Sequence, residues 1–393
     1  VRIKDYRRLL RDRVELARTL GKLALKPFLT DELSFRKGEV AETVERFHPK
    51  RVAVTVTGVR QETPSTKTFV LAPKRGTFPP FQAGQYVNVF VTVDGLRTSR
   101  PYSISSPSTR LGTIELTVKM KREGFVSPHM LDRAAVGDEF EVSGPAGSFH
   151  YNPLRDTKEL VFVAGGSGIA PFVGMAEDII QRGSPVSMTL LYGSNAEDDI
   201  IFRERLDALA KANDNFEVVH VLSAPSKSWR GAKGFIDRKR LLRHLRKRDL
   251  GDKTFFLCGP EPMYLLVMKE LLDLGVRKRR IRVEAFGPPE DVSADPGWPD
   301  SLSMDTVFEV AVEGRNKRIP AVAGEPLMNS LERAGLVVPA LCRAGTCGTC
   351  RTRLLSGKVF VPAGAALRDT DHEAGFIHPC LSYPTSDLEI RLP

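Results

Sequence analysis

Between residues 50 and 286 the hydrophobic period of this chain changes once, and that change limits what it can fold into. From about residue 50 the apolar positions alternate in short runs: "RVAVTVTGV", "TKTFVLA", "YVNVFVTV", "TIELTVKM" and "DEFEVS", punctuated by Gly, Pro and Asp. Alternation with period two and frequent turn residues predicts an antiparallel barrel over 49–152. Over 153–287 strands alternate with helices instead. "ELVFVAGG", "SMTLLYGS", "FEVVHVLS", "KTFFLCGP" and "RIRVEAF" read as strands; "APFVGMAEDIIQRG", "RERLDALAKA" and "EPMYLLVMKELLDLG" have helical periodicity. This predicts a parallel, doubly wound α/β sheet. Residues 288–305, within "GPPEDVSADPGWPDSLSMD", are rich in Pro, Gly, Ser and Asp and read as an exposed linker. Strands "VFEVAVEG" and "KRIPAV" and a helix "PLMNSLERAG" follow, in a last unit over 306–393.

The fold class expected is therefore multidomain α+β, and 393 residues with 41% hydrophobic content can furnish a core for each unit. Ahead of the barrel, residues 1–48 form an extension. Its first 26 residues carry nine Lys/Arg against three Asp/Glu, with Ile3, Tyr6, Leu10, Val14, Ala17 and Ala24 at helical spacing until Pro27. A basic amphipathic helix of this kind can pack on its own protein, on a partner or on a membrane surface. No apolar run approaches a membrane span and no signal-peptide pattern is seen, so a cytoplasmic protein is expected, with peripheral membrane association through residues 1–26 as its variant.

Five cysteines are too few, and too clustered, for a secreted disulfide framework. Four of them lie near the end: Cys342-x4-Cys347-x2-Cys350, then Cys380. Four thiolates suit tetrahedral zinc or an iron–sulfur cluster. Structural zinc sites usually combine two close pairs, whereas here one x2 pair is flanked by a lone cysteine on each side. That spacing is the plant-type [2Fe–2S] arrangement. The residues between the thiols are small or flexible apart from Arg343, so the loop can wrap a cluster and aim N–H groups at its sulfurs. His372 and His378 lie nearby, but the four-cysteine set is complete without them.

Two further segments carry chemistry. "RTSRPYSISSPS" places Arg100, Tyr102 and Ser103 within four residues: a cation for phosphate, an aromatic face for an isoalloxazine ring, and a hydroxyl for the ring's N5. Downstream, "GFVS", Gly124 to Ser127, opens a short helix that could meet a pyrophosphate; FAD is therefore expected in preference to FMN. In the α/β unit, "VFVAGGSGIAPF" puts a glycine turn between a buried strand and a helix, where dinucleotide phosphates find free N–H groups. It lacks the Gly-x-Gly-x-x-Gly spacing. A second turn, "FFLCGPEPMY", follows Cys258.

Taken in this order, the segments over about 50–287 resemble the ferredoxin–NADP reductase superfamily, and residues 306–393, with "CRAGTCGTC", resemble the plant-type ferredoxin module. The chain is similar to the oxygenase-reductase branch with the order flavin, nicotinamide, ferredoxin, as in the reductases of phenylacetyl-CoA epoxidase and ketosteroid hydroxylase systems. It departs from plant ferredoxin reductases in continuing past "VEAF", in carrying its own ferredoxin and in its helical leader. The resemblance implies a C-terminal β-grasp fold and the cofactors FAD, a [2Fe–2S] cluster, and NADH or NADPH. Arg100, Pro101, Tyr102 and Ser103 would contact the flavin, with Val118, Lys119, Gly124, Phe125, Val126 and Ser127 near its ribose and pyrophosphate. Gly165, Gly166, Ser167, Gly168 and Pro171 would cradle the nicotinamide dinucleotide, with Cys258, Gly259, Pro260 and Met263 bordering the nicotinamide. Glu284 would lie near the Ser103 hydroxyl and Phe286 over the flavin's other face. Ser103, Cys258 and Glu284 are thus the catalytic candidates, and Cys342, Cys347, Cys350 and Cys380 the metal ligands. Beyond the second strand of the α/β unit, Ser194 and Arg203 favour a ribose 2′-phosphate, while Glu197, Asp198 and Asp199 favour a free 2′-hydroxyl, so the nucleotide stays open with a lean to NADH.

Such a chain is expected to pass electrons from NAD(P)H through FAD and [2Fe–2S] to a terminal oxygenase, hydroxylase, demethylase or desaturase. The alternatives are a stand-alone reductase of quinones, ferric iron or oxygen, or an anaerobic electron-transfer partner. The net charge of +10 and the runs "RKRLLRHLRKR" (238–248) and "RKRRIR" (277–282) suit an acidic redox partner. Neither run interleaves the aromatic or base-reading residues that nucleic acid requires, so nucleic-acid binding is not expected.

Overall fold

The computed structural model describes residues 51–393 except 122–123, 246, 286, 290, 346 and 363–368. The extension over 1–48 and Phe286 lie outside the described residues. Residues 51–393 form one compact unit.

The barrel is built from β1 (Val52–Thr63), β2 (Thr66–Pro73), β3 (Tyr86–Val93), β4 (Leu96–Ser103) and β5 (Ile114–Lys119), then helix α1 (Ser127–Arg133) and β6 (Glu139–Val142). All its pairings are antiparallel, in the order β4-β3-β6-β1-β2-β5. The alternation read in the sequence points Val54, Val56, Phe69, Leu71, Val87, Val89, Leu116 and Val118 into one core, each such side chain contributing roughly 1.5–3 kcal/mol of burial.

The α/β unit follows: β7 (Glu159–Gly165), α2 (Ala170–Gln181), β8 (Ser187–Ser194), α3 (Arg203–Ala212), β9 (Phe216–Leu222), β10 (Ala232–Lys233), α4 (Arg238–His244), β11 (Lys253–Cys258), α5 (Glu261–Asp273) and β12 (Ile281–Glu284). Its six strands are parallel in the order β10-β9-β8-β7-β11-β12. The chain runs outward from β7 to β10 and returns to β11 on the other side of β7. The crevice at the carboxyl ends of β7 and β11 is therefore the topological switch point, where ligands of open α/β sheets bind. Arg205 of α3 joins this unit to the barrel, donating to Glu177 of α2 and to Glu115 of β5, both at 2.6 Å.

The last unit comprises β13 (Val307–Val312), β14 (Lys317–Val322), α6 (Leu327–Arg333), β15 (Thr352–Ser356), β16 (Val359–Phe360), α7 (Asp369–Glu373), β17 (Phe376–Ile377), β18 (Tyr383–Pro384) and β19 (Leu388–Arg391). Its five-stranded sheet has the order β14-β13-β19-β15-β17, with β13 and β19 parallel and the other pairs antiparallel. Leu327, Met328 and Leu331 of α6 pack into that sheet's core, which is the β-grasp arrangement.

The segment read as an exposed linker is in part buried. Val292 and Trp298 pack with Ala323 and Tyr383, and the Trp298 ring meets Phe360 edge-on at 5.3 Å. Its Pro and Gly content encodes turns, but Val292 and Trp298, with Leu302 and Met304 packed against them, are seated on the C-terminal unit, so the connection is anchored there. The basic run at 238–244 is the helix α4: Leu241 is buried, while Arg238 and His244 face Glu270 and Glu217 across 3.5 Å.

Candidate functional site

The nucleotide crevice arises from two turns pressed against each other. β7 ends at Gly165, and a single 3-10 turn over Gly166–Ile169 leads into α2, with Pro171 in its first turn. Gly166 has φ +52°, where a side chain is strained. A Cβ at Gly168 would stand 2.1 Å from the carbonyl oxygen of Cys258, and one at Gly165 would stand 2.7 Å from the Met263 sulfur and from Pro260. One at Gly259 would stand 2.8 Å from the Gly165 nitrogen. No side chain fits between the turns, which brings Gly165, Gly168, Cys258, Gly259, Pro260 and Met263 together, with Gly166 and Pro171 on the same turn and the helix it opens. Ser167 is exposed at the mouth.

Two groups hold this turn: Tyr192, which sequence reading did not single out, and Lys119, which it placed near the flavin's ribose and pyrophosphate. Tyr192, fully buried on β8, donates its hydroxyl to the Gly166 carbonyl at 3.0 Å and accepts from the Ile201 N–H. Lys119, at the end of β5, reaches Asp199 at 2.7 Å and passes within 3.7 Å of the position a Gly166 Cβ would take. Lys119 thus sets a cation over the dinucleotide turn, whereas Val118 points into the barrel core. Ser194 is buried at the end of β8; Arg203 is exposed, with its guanidinium 5.6 Å from the Trp229 ring.

Beside the crevice, Cys258 and Glu284 are register partners on β11 and β12. Burial, with the Glu284 charge adding to it, pushes the Cys258 thiol up, so it is held as a neutral thiol. Glu284 is half-buried, yet its Oε2 is shut off from water and has no hydrogen-bond partner among the described residues. Burial raises its carboxyl well above the ordinary range. An enclosed, unpartnered carboxyl oxygen beside a glycine crevice is the mark of a site completed by a polar ligand.

Glu284 also neighbours the barrel. A Cβ at Gly147 would stand 3.0 Å from the Tyr86 ring and 3.8 Å from Glu284 Oε1. Tyr86 of β3 is the cross-strand partner of Ser103 on β4, and its ring shares the Gly147 neighbourhood with Glu284. Ser103 is buried, and Tyr102 is half-buried with its hydroxyl raised to about 12 by burial, Arg100 opposing. The turn Gly124–Ser127 is tight: a Gly124 Cβ would stand 2.9 Å from the Ser127 hydroxyl, which accepts from the Lys121 N–H, while Val126 is buried and Phe125 exposed.

Arg100 is engaged with its own strand and with the C-terminal unit. Its Nη1 donates to Thr98 Oγ1 and the Ser99 carbonyl, both at 2.8 Å, and its Nη2 reaches Glu332 of α6 at 3.3 Å. Glu332, 4% exposed, also accepts from Thr98 Oγ1 at 2.6 Å and from both Nη atoms of Arg343. Burial raises the Glu332 carboxyl, and Arg343, Arg100 and Thr98 together more than reverse that, leaving it below its usual value. Two guanidiniums face one carboxylate, so Arg100 keeps positive charge to offer an anionic ligand.

The four thiols come as two pairs. Cys342 Sγ accepts from the N–H groups of Ala344 and Cys347, each at 3.4 Å; Cys347 Sγ accepts from the Thr349 N–H at 3.5 Å; Cys350 and Cys380 stand 3.5 Å apart, sulfur to sulfur. Charge on Cys342 acts on Cys380, and charge on Cys347 acts on Cys350, so the pairs share one locality. Among the described residues no three His, Cys, Asp or Glu converge on a single-ion site. Two thiol pairs with amide donors suit a binuclear iron–sulfur cluster, one pair to each iron, better than one zinc. Gly345 and Gly348 have φ +75° and +68°, and Arg343 +52°, as a loop wrapped around a cluster requires. His378, 1% exposed, places Nδ1 at 3.1 Å from the Gly345 carbonyl and Nε2 at 3.0 Å from Asp371, bracing the loop from behind. Cys342 and Ala344 pack with Tyr86 and Ala146, so the cluster loop rests on the barrel strand that neighbours Ser103.

Comparison with known proteins agrees with this geometry. The model of an oxidoreductase FAD-binding domain matches residues 53–151, that of an oxidoreductase NAD-binding domain 162–269, and that of a 2Fe-2S iron-sulfur cluster binding domain 310–385. The glycine betaine monooxygenase reductase subunit of Pseudomonas aeruginosa is 29% identical over 88% of this chain and 97% of its own length. NADH-cytochrome b5 reductase 1 of Meyerozyma guilliermondii is 35% identical over 50% of this chain and 69% of its own length. In fold the chain is similar to phthalate dioxygenase reductase, with a TM-score of 0.64, 23% identity and coverage of 87% of this chain and 97% of that one. The chain belongs to the ferredoxin–NADP reductase superfamily, in the branch whose flavin- and NAD-binding domains are joined to a C-terminal [2Fe–2S] ferredoxin domain.

Proposed function

We propose that this protein is the reductase component of an oxygenase system, taking electrons from NAD(P)H through FAD and a [2Fe–2S] cluster to a terminal oxygenase or demethylase. The observation that carries this reading is the seating of Cys342 against Tyr86, because it sets the one-electron outlet on the strand beside the flavin site. A bound flavin takes the two electrons of a hydride together and gives them up singly, which is what a cluster accepting one at a time needs. The residues named above supply the rest. The two glycine turns position the dinucleotide, Lys119 lends its phosphates a cation, and Ser103 offers a hydroxyl to the flavin's reactive edge. Burial pushes the Glu284 carboxyl up, so it ionises less readily beside the nicotinamide crevice. Cys258 borders the same place as an uncharged thiol.

Arg100, Pro101, Tyr102 and the Gly124–Ser127 turn make the remainder of the flavin site, and Cys342, Cys347, Cys350 and Cys380 hold the cluster. The partner docks at the cluster loop, where Thr349 is exposed and where Arg351 and Arg353 stack on Phe376 within 4.6 and 5.1 Å; an acidic partner face complements these guanidiniums. The test is an anaerobic titration with NADH and NADPH, followed by visible absorption and electron paramagnetic resonance. Flavin bleaching followed by a reduced-cluster signal, with slow nucleotide oxidation until an oxygenase is added, is the expected outcome. Rapid turnover with quinone or ferric acceptors alone would favour a stand-alone reductase.

A further inference from the structure

The β3–β4 hairpin of the barrel carries two contacts to the cluster-bearing unit. Tyr86 packs on Cys342, and on the adjoining strand Thr98 and Arg100 meet Glu332 and Arg343. The second contact is a closed polar network. Arg343 grips both carboxylate oxygens of Glu332 and donates to Thr98 Oγ1 at 3.2 Å, and Thr98 Oγ1 in turn donates to Glu332 at 2.6 Å. Glu332 and Arg343 are 4% and 8% exposed and Thr98 is 3% exposed, so water cannot replace any partner that leaves. Arg343 directly follows Cys342 and holds a left-handed backbone at φ +52°, a conformation that persists where surrounding contacts fix it. The network therefore holds the residue next to the first cluster thiol.

We propose that Glu332, Arg343 and Thr98 form a buried clamp that fixes the cluster loop against the flavin barrel, making Glu332 and Thr98 positioning residues for electron transfer between flavin and cluster. The inference rests on the reductase reading above. With both groups bound, the step concerned would pass one electron from the reduced flavin to the cluster, oxidising the first and reducing the second by one electron, and would make or break no bond. Its rate falls steeply with separation, so a loosened clamp slows it more than hydride transfer, whose glycine turns the clamp does not touch.

The experiment compares full-length, cofactor-loaded wild type with Glu332→Gln, Thr98→Val and Thr98→Ser in anaerobic stopped flow. In Glu332→Gln and Thr98→Val, cluster reduction should slow at least tenfold relative to flavin bleaching by NADH or NADPH in the same variant, a ratio that cancels any change passed to the flavin site through Arg100; Thr98→Ser should keep the wild-type ratio. Iron content and the reduced-cluster resonance should be unchanged. Hydrogen exchange should quicken at the backbone of residues 97–101 and 327–333, a readout independent of activity. A ratio within twofold of wild type in both variants would overturn the clamp, as would loss of iron from Glu332→Gln, which would mean that the network holds the cluster and not the docking. Thr98→Val lies outside the cluster-bearing unit and decides the matter should Glu332→Gln fail to fold. A wild-type protein whose cluster never accepts electrons from NADH or NADPH would instead overturn the reductase reading itself.

Discussion

Tyr86 of β3, a residue of the flavin barrel, packs against Cys342, the first thiol of the cluster loop. Its hydroxyl is pushed up by burial and by charge on Cys342, Cys347 and Glu284, so it stays protonated and can donate on either side. Replacing Tyr86 by Ala should cost about 3–5 kcal/mol, the usual cost of removing a buried aromatic, and should expose the cluster. Replacing it by Phe keeps the packing and loses about 1 kcal/mol with the hydroxyl. Cluster bleaching in air, followed by visible absorption, should be several-fold faster in Tyr86→Ala and near wild type in Tyr86→Phe.

The cluster and the nucleotide crevice are built from separate cores, one in the C-terminal sheet and the other on the faces of the parallel sheet. Cys347→Ser should therefore abolish the cluster and leave NAD(P)H able to bleach the flavin. Loss of both chromophores together would contradict that independence. Ser103→Ala is the converse: it should slow flavin reduction by hydride far more than it weakens flavin retention, read by rapid mixing against flavin content.

Glu284 gives a pH signature whose sign can be worked out. Its folded-state value lies well above the ordinary 4.5 because of burial. Below 4.5 the carboxyl is neutral in both folded and unfolded chains and contributes no difference. As pH rises past 4.5 the unfolded chain ionises first, and the native state loses stability until the folded value is passed. Glu284→Gln should thus match wild type in denaturation midpoint at acid pH and become progressively more stable than it towards neutral and alkaline pH. A constant difference across pH would refute a neutral Glu284.

Much of this was legible in the sequence, for reasons that are local. The strand and helix periods mark most strands of the barrel and of the parallel sheet, and the glycine turns and cysteine spacing are short-range patterns whose geometry follows from their own residues; β4, β15, β19 and α4, which also carry core residues, lie outside those readings. What was not legible depends on distant pairings. Thr98 and Glu332 are 234 positions apart, and nothing near either marks it as a partner of the other. Arg100 reads as a phosphate cation because of its neighbours, yet its guanidinium meets the Glu332 that docking brings. Tyr192 and Tyr86 lie within strand runs and carry no local signal, since only the distant groups each meets, Gly166 for Tyr192 and Cys342 for Tyr86, give it a role. Trp298 sits in a Pro- and Gly-rich run whose composition says turn, and its burial depends on Tyr383 and Phe360 from another part of the chain.

Gly168 provides the sharpest separation of nucleotide binding from the rest of the electron path. A Cβ there would stand 2.1 Å from the Cys258 carbonyl oxygen and 2.7 Å from the Gly259 nitrogen. Both are backbone atoms of the facing turn and cannot rotate aside as a side chain would. Gly168→Ala must therefore push the two turns apart, which misplaces the crevice without touching Tyr86, Ser103 or the cluster loop. Misplacement of a reacting group by about 1 Å costs on the order of 100-fold in rate. Flavin bleaching by NADH or NADPH should fall by roughly that factor, while chemical reduction by dithionite should still fill both flavin and cluster at wild-type levels. Unchanged bleaching by nucleotide would show that the dinucleotide binds elsewhere than between these turns, and Gly259→Ala, which closes the same gap from the other side, should behave alike if it binds there.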